Sequence, residues 1–259
     1  MCLPLLGKRI LITREQRKAA KFAQKIKGFG GEPVEIPLIY ITCIRPPNHD
    51  VIQQLMKYQW IFFTSGNGVA CFFQLLKHEC IPLEHLAKLN IAVVGRKTET
   101  KLIELTGRSA DFIPSSFDAD TMADEFLTQY PDANEFLLVR GNLSRDVLPE
   151  RFEKRKKTYT NLEVYETHKN EQMQLLLQTT LAKTVIDYIT FTSPSTVEAF
   201  AHMTTARKVA PCICIGTTTE QRVKELGFSP ILTAKEFTVD GMIECIKQDV
   251  TNQRKEETE

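Results

Sequence analysis

The chain has 259 residues, with 33 Lys and Arg against 32 Asp and Glu, and is 42% apolar and 25% charged. This is an ordinary globular mix, long enough for one large domain or two small ones with a substantial core. The cancelling charges argue against a dedicated nucleic-acid binder, and no apolar run approaches the roughly 18 residues that span a bilayer. The start, Met1-Cys2-Leu3-Pro4-Leu5-Leu6-Gly7-Lys8-Arg9, lacks the basic region and long apolar region of a signal peptide. The expected location is the cytosol.

Along the chain, short continuous apolar runs alternate with amphipathic stretches. Ile10-Leu11-Ile12 is followed by Ala19, Ala20, Phe22, Ala23 and Ile26, closing at Gly28 and Gly30. Trp60-Ile61-Phe62-Phe63 precedes Val69, Phe72, Phe73 and Leu76. Ile91-Ala92-Val93-Val94 precedes Leu102 and Leu105, stopped by Gly107. Further apolar runs begin at Phe136, Tyr188 and Cys212. Runs this short and continuous read as strands buried on both faces, and the helical spacing of the following apolar residues gives one buried face each. The alternation predicts an α/β protein with parallel sheets and helices on both sides. Arg45-Pro46-Pro47-Asn48 reads as a break, the charged Glu153 to Lys157 and the polar Thr160-Asn161 as weaker linkers, and Thr251 to Glu259 as a frayed tail.

An internal repeat is the most informative feature. Phe63-Thr64-Ser65-Gly66-Asn67-Gly68-Val69 recurs as Phe191-Thr192-Ser193-Pro194-Ser195-Thr196-Val197, and Val94-Gly95-Arg96-Lys97-Thr98-Glu99 as Ile215-Gly216-Thr217-Thr218-Thr219-Glu220. Glu104-Leu105-Thr106-Gly107 matches Glu225-Leu226-Gly227, and Phe117-Asp118-Ala119-Asp120-Thr121-Met122 matches Phe237-Thr238-Val239-Asp240-Gly241-Met242. Ile10-Leu11-Ile12-Thr13-Arg14 matches Phe136-Leu137-Leu138-Val139-Arg140 more weakly. Matches in one order imply two similar α/β units rather than a solenoid, and interfaces between such units are common places for ligands.

The seven cysteines, an odd count without a secretory signal, do not look like a disulfide framework and are expected as buried thiols. Cys212 and Cys214 are expected on opposite faces of a strand. The five histidines are scattered, so a metal site is not expected.

Each repeat sets Thr-Ser between a buried strand and a helix, where α/β sheets bind ligands. Ser65 or Asn67, and Ser193, can cap the following helix, with Pro194 suited to its first position. A capped helix start still presents spare N–H donors to an anion. Thr98 and Thr219, with Thr218 beside it, follow glycines at matching strand ends. The full phosphate-loop and dinucleotide glycine patterns are absent, so the anion expected is a carboxylate rather than a nucleotide cofactor. Arg14 and Arg140 end equivalent runs and read either as surface charges or as bidentate carboxylate ligands. Tyr165, in Leu162-Glu163-Val164-Tyr165-Glu166-Thr167, reads either as a strand aromatic or as a hydroxyl donor to a ligand. No Ser/His/Asp set, paired catalytic carboxylate or nucleophilic Cys stands out.

Taken together, Leu11-Ile12-Thr13-Arg14, Gly30-Gly31, Pro37-Leu38, Phe63-Thr64-Ser65-Gly66-Asn67, Val94-Gly95 with Thr98, Val164-Tyr165-Glu166-Thr167, Phe191-Thr192-Ser193-Pro194 and Ile215-Gly216 with Thr218-Thr219 resemble the uroporphyrinogen-III synthase family over nearly the whole chain. Gly66-Asn67-Gly68 is unusually glycine-rich for the start of a helix. The resemblance implies two flavodoxin-like lobes joined by two strands, with the cleft between them as active site. One lobe would comprise 1–38 and 168–259, the other 39–167, so that each repeat contributes to both. It implies a cyclising hydro-lyase of haem biosynthesis. The enzyme would dehydrate the linear tetrapyrrole hydroxymethylbilane, invert its last ring through a spiro intermediate and close uroporphyrinogen III, without cofactor or metal. The resemblance and the motif positions together put Tyr165 at the departing hydroxyl, and Arg14, Ser65, Asn67, Thr98, Arg140, Ser193, Thr218 and Thr219 at the substrate. The expected state is a cytoplasmic monomer with no nucleic-acid or membrane partner; transient contact with the preceding pathway enzyme stays open. The competing reading is a non-enzymatic two-lobed module that grips a small polyanion.

Overall fold

Each continuous apolar run becomes a strand with both faces covered. The computed structural model describes residues 3–206 and 209–256. In chain order its elements are β1 (Arg9–Ile12), α1 (Gln16–Gly28), β2 (Glu32–Glu35), β3 (Ile39–Cys43), β4 (Trp60–Phe63), α2 (Gly66–His78), β5 (Asn90–Val93), α3 (Arg96–Thr106) and α4 (Ala119–Gln129). They continue with β6 (Phe136–Gly141), α5 (Val147–Lys154), β7 (Tyr159–Lys169), α6 (Gln174–Lys183), β8 (Tyr188–Phe191), α7 (Pro194–Met203), β9 (Cys212–Cys214), α8 (Thr217–Glu225), β10 (Ile231–Thr233) and α9 (Val239–Glu256). Short 3-10 helices lie at His49–Lys57, Leu83–Lys88 and Glu171–Met173.

The chain divides into two compact units, Met1–Tyr40 with His168–Glu259, and Ile41–Thr167. In the first unit the strand order is β10-β9-β8-β1-β2, and every pairing is parallel. Alternate strand residues feed two cores. Leu11, Ile189, Phe191, Cys212 and Cys214 pack toward Val197, Phe200 and Val223 of α7 and α8. Ile10, Ile12, Tyr188 and Ile213 pack toward Phe22 of α1 and Ile246 of α9. At the centre, Thr13 Oγ1 donates to the Thr190 carbonyl at 2.7 Å, and Thr190 Oγ1 to the Leu11 carbonyl at 2.9 Å, so both buried hydroxyls are satisfied across the β1–β8 junction.

The second unit has the order β3-β7-β6-β4-β5, with β7, β6, β4 and β5 parallel. Ile61, Phe63, Leu137 and Val139 face Val69, Phe72 and Leu76 of α2 and Leu102 of α3. Trp60, Phe62, Phe136 and Leu138 face Phe126 of α4 and Phe152 of α5 in a group of edge-packed aromatic rings. A parallel bridge between Ala92 and Phe112 extends this sheet beyond β5, at the place β10 takes beyond β9.

The two topologies coincide: β2-β1-β8-β9-β10 corresponds to β7-β6-β4-β5-Phe112. This is the doubly wound order in which the sheet reverses its direction of growth at a switch point. The first unit joins the opening of the first repeat to the end of the second, and the second unit joins the two remaining halves. The crossings fall inside β3 and β7, not at the polar stretches expected as linkers. Glu153 and Lys154 end α5, and Thr160-Asn161 belongs to β7.

Three further expectations change. Cys43 and Cys71 are not free thiols: an S–S bond of 2.04 Å ties β3 to α2. Cys80 is exposed, whereas Cys212 and Cys214 are buried as expected. Cys212 and Cys214 share one face, in the same core cluster, because residues two apart on a strand point the same way. Cys2 lies outside the described residues. The tail expected to fray is helical through Glu256, as the last turns of α9; 257–259 lie outside the described residues.

Candidate functional site

The best-defined arrangement of polar groups lies at the switch point of the second unit, where the carboxyl ends of β4 and β6 adjoin. Ser65 follows β4 in extended conformation and caps α2, its Oγ accepting the Gly68 N–H at 3.0 Å. The same Oγ lies 3.1 Å from the Tyr165 hydroxyl, and either group can donate. Tyr165 reaches this position through a register shift. Arg140 pairs with Glu163 but Gly141 pairs with Tyr165, so β7 carries one extra residue. Such a bulge re-aims the side chains beyond it. Consequently Leu162, Val164 and Tyr165 all enter the same core cluster, although 164 and 165 are adjacent.

The Tyr165 ring lies against bare backbone. A Cβ on Gly141 would stand 2.3 Å from ring carbons of Tyr165, and one on Gly68 would stand 3.8 Å from the ring. Glycine at 141 is therefore required by the ring's close approach. The Asn142 carboxamide clamps β7 just beyond, accepting from the Thr167 N–H at 2.9 Å, while the Asn142 N–H donates to the Tyr165 carbonyl at 3.2 Å. The phenol is thus buried at its ring and held at its tip beside the N-terminus of α2, whose partial positive charge favours electron-rich groups. Asn67, at the same helix start, is half-buried.

The other expected residues separate into groups. Arg140 is buried and bound to its own turn: it donates to the Ser144 carbonyl at 2.5 Å and pairs with Asp146 at 2.8 Å, and its Nε has no hydrogen-bond partner among the described residues. Thr98 lies in the first turn of α3 and is 5% exposed. In the first unit, Arg14 lies two residues beyond β1, half-buried, and its buried Nε has no hydrogen-bond partner among the described residues. Burial pushes its guanidinium below the usual pKa, against the pull of Glu15. Ser193 occupies the cap position of α7, but its Oγ bonds Ser195 Oγ at 2.8 Å instead of capping the helix, a correction to the expected cap; Pro194 does begin the helix. Thr219 is buried and Thr218 exposed at the start of α8. Sequence reasoning did not single out Gly141 and Asn142, since their value depends on the bulge in a partner strand. Among the described residues no group of three His, Cys, Asp or Glu side chains is arranged to hold a metal ion.

Fold and site together define a two-lobed, doubly wound α/β protein with hydroxyls and helix N-termini at the carboxyl ends of its sheets. A family model described as uroporphyrinogen-III synthase HemD matches residues 20–244. The chain belongs to the uroporphyrinogen-III synthase family. It is 31% identical to the uroporphyrinogen-III synthase of Chlorobaculum parvum, over 85% of this chain and 90% of that one. It is 28% identical to a porphyrin biosynthesis protein HemD of Ruminiclostridium josui over 93% of this chain, and spans about half, 48%, of that longer relative. Among solved structures, a mutant uroporphyrinogen III synthase of Thermus thermophilus superposes with a TM-score of 0.69 at 18% identity, covering 95% of this chain and 100% of that one. The Helicobacter pylori uroporphyrinogen-III synthetase gives 0.65 at 19% identity, covering 93% and 99%. Likeness at these identities speaks to the fold.

Proposed function

We propose that this chain converts hydroxymethylbilane to uroporphyrinogen III, as a cytoplasmic monomer that needs no cofactor. The observation that carries this reading is the family match across residues 20–244. The reaction breaks the C–O bond of the terminal hydroxymethyl group. It then joins that carbon to the last pyrrole ring after inversion through a spiro intermediate, with loss of one proton and, overall, one water.

Tyr165 is the residue we assign to the departing hydroxyl. When Ser65 Oγ–H donates to the phenolic oxygen, the phenol proton is left to point at the substrate. A chain then runs from the Gly68 N–H through Ser65 and Tyr165, each bond polarising the next. Hydrogen-bond donation to the leaving oxygen lowers the barrier to heterolysis. The bilane can also lose hydroxide and close unaided to the unrearranged isomer. The protein's main task is therefore conformational: it holds the acidic side chains so that inversion precedes closure. Arg14, Asn67 and the starts of α3, α7 and α8, with Thr98, Ser193, Thr218 and Thr219, supply local donors. Net charge is only +1, so binding rests on these groups and not on bulk attraction.

The test is incubation of the purified chain with hydroxymethylbilane and identification of the porphyrinogen isomer. Formation of the type III isomer is expected; the type I isomer alone at the uncatalysed rate rules the reading out.

A further inference from the structure

Two large aromatic side chains are exposed at repeat-related positions. Phe117 and Phe237 are 59% and 58% exposed. Each precedes a helix, and a hydrophobic residue in that place ordinarily folds back onto the helix it precedes. Here each ring instead lies along the backbone of a glycine at a strand's carboxyl end. A Cβ on Gly95 would stand 2.9 Å from Cβ and Cγ of Phe117, and a Cβ on Gly216 would stand 3.2 Å from Cδ1 of Phe237. Both loops are pinned. Asp118 accepts the Thr121 N–H at 2.8 Å, and Thr238 Oγ1 accepts the Gly241 N–H at 2.9 Å.

The surroundings are of one kind in both units. Gly95 and Gly216 are the residues just before α3 and α8, and among the described residues no side chain caps either helix. An exposed flat apolar face therefore stands beside backbone donors suited to an anion. That combination fits a ligand that is itself flat, apolar in its ring and acidic at its edge. A pyrrole bearing carboxylate side chains is such a group.

Resting on the function proposed above, we infer that Phe117 and Phe237 are substrate-positioning residues, each stacking on the face of a pyrrole ring whose carboxylate meets the adjacent helix start. They lower the free energy of the bound bilane without touching the bond that breaks. Their removal should act on KM more than on kcat.

Steady-state assays with hydroxymethylbilane test this. Phe117→Ala and Phe237→Ala should each raise KM about fivefold with kcat within about twofold, and the Tyr variants should restore the wild-type KM, as expected for aromatic stacking. The Leu variants keep the contact with glycine but lose the ring, and should retain a raised KM; they carry the test if an Ala variant fails to fold. Wild-type KM in the Ala or Leu variants, with the type III isomer still formed, overturns this inference alone. A wild-type chain that yields only the type I isomer overturns it together with the proposed function.

Discussion

Tyr165 shows how much one contact can depend on its neighbours' lack of side chains. Its ring needs the space above Gly141, and its hydroxyl needs Ser65. Tyr165→Phe removes only the oxygen, so the variant should fold normally and lose about 100-fold in kcat, the lower end of the range for a general acid. Unchanged turnover at an unchanged thermal midpoint would remove the phenol from the mechanism. Gly141→Ala is the complementary change. The added methyl collides with the ring at 2.3 Å and should destabilise the protein by about 1–3 kcal/mol while displacing the phenol. A urea midpoint equal to wild type would show that the ring yields without cost. The sequence already named Ser65 and Tyr165, from a strand–helix junction and a strand aromatic. It did not join them, because their hydrogen bond spans 100 residues. Arg140, expected at the substrate from its repeat-related position, also has partners in its own turn that the sequence did not indicate, the Ser144 carbonyl and Asp146.

At the scale of elements, α2 is tied down at several points. Ser65 caps its start, Cys71 bonds it to Cys43 of β3, and Glu79 beyond its end receives Arg45 Nε at 2.6 Å. The two Arg45 hydrogen bonds, with one more from His78, hold the Glu79 carboxyl down to about 2, against an ordinary 4.5. A carboxylate depressed in the folded state stabilises fully above its unfolded pKa and loses that contribution as pH falls through the folded one. The stability gap between wild type and Glu79→Gln should therefore be present at pH 6 and close between about pH 4.5 and 2, read from urea midpoints. A gap that stays constant with pH contradicts the pairing. The disulfide closes a loop with a sequence separation of 28, and loops of that size are worth about 3–4 kcal/mol in the chain-entropy account. Reductant should lower stability by about that amount in wild type and leave a Cys43→Ser, Cys71→Ser double variant unaffected. Equal responses in both proteins would discount the bond. In a reducing compartment the pair is expected to open, which makes this bond sensitive to where the protein resides.

At the scale of the molecule, each unit has helices on both faces of its own sheet and its own pair of hydrophobic clusters. The second unit is a single stretch of chain, Ile41–Thr167, and contains both cysteines of the disulfide. Expressed alone, that stretch should give one cooperative urea transition, as small single domains do; a featureless loss of ellipticity would show that it cannot fold by itself. The sequence by itself determined the continuous apolar strands, the helices that follow the first three of them, and the duplication. Strand and helix periods are local, so Trp60-Ile61-Phe62-Phe63 or Ala19 to Ile26 declares its buried faces without reference to the rest of the chain. It also determined the family, since many weak motifs in a shared order carry information that none carries alone. Only the tertiary structure decided the bulge that turns Tyr165 toward Ser65, the Cys43–Cys71 bond, and the rings of Phe117 and Phe237 laid over glycines. Those outcomes require residues far apart in the chain to meet. The free energy that brings them together is spread over whole cores and sheets, so no short stretch of residues records it.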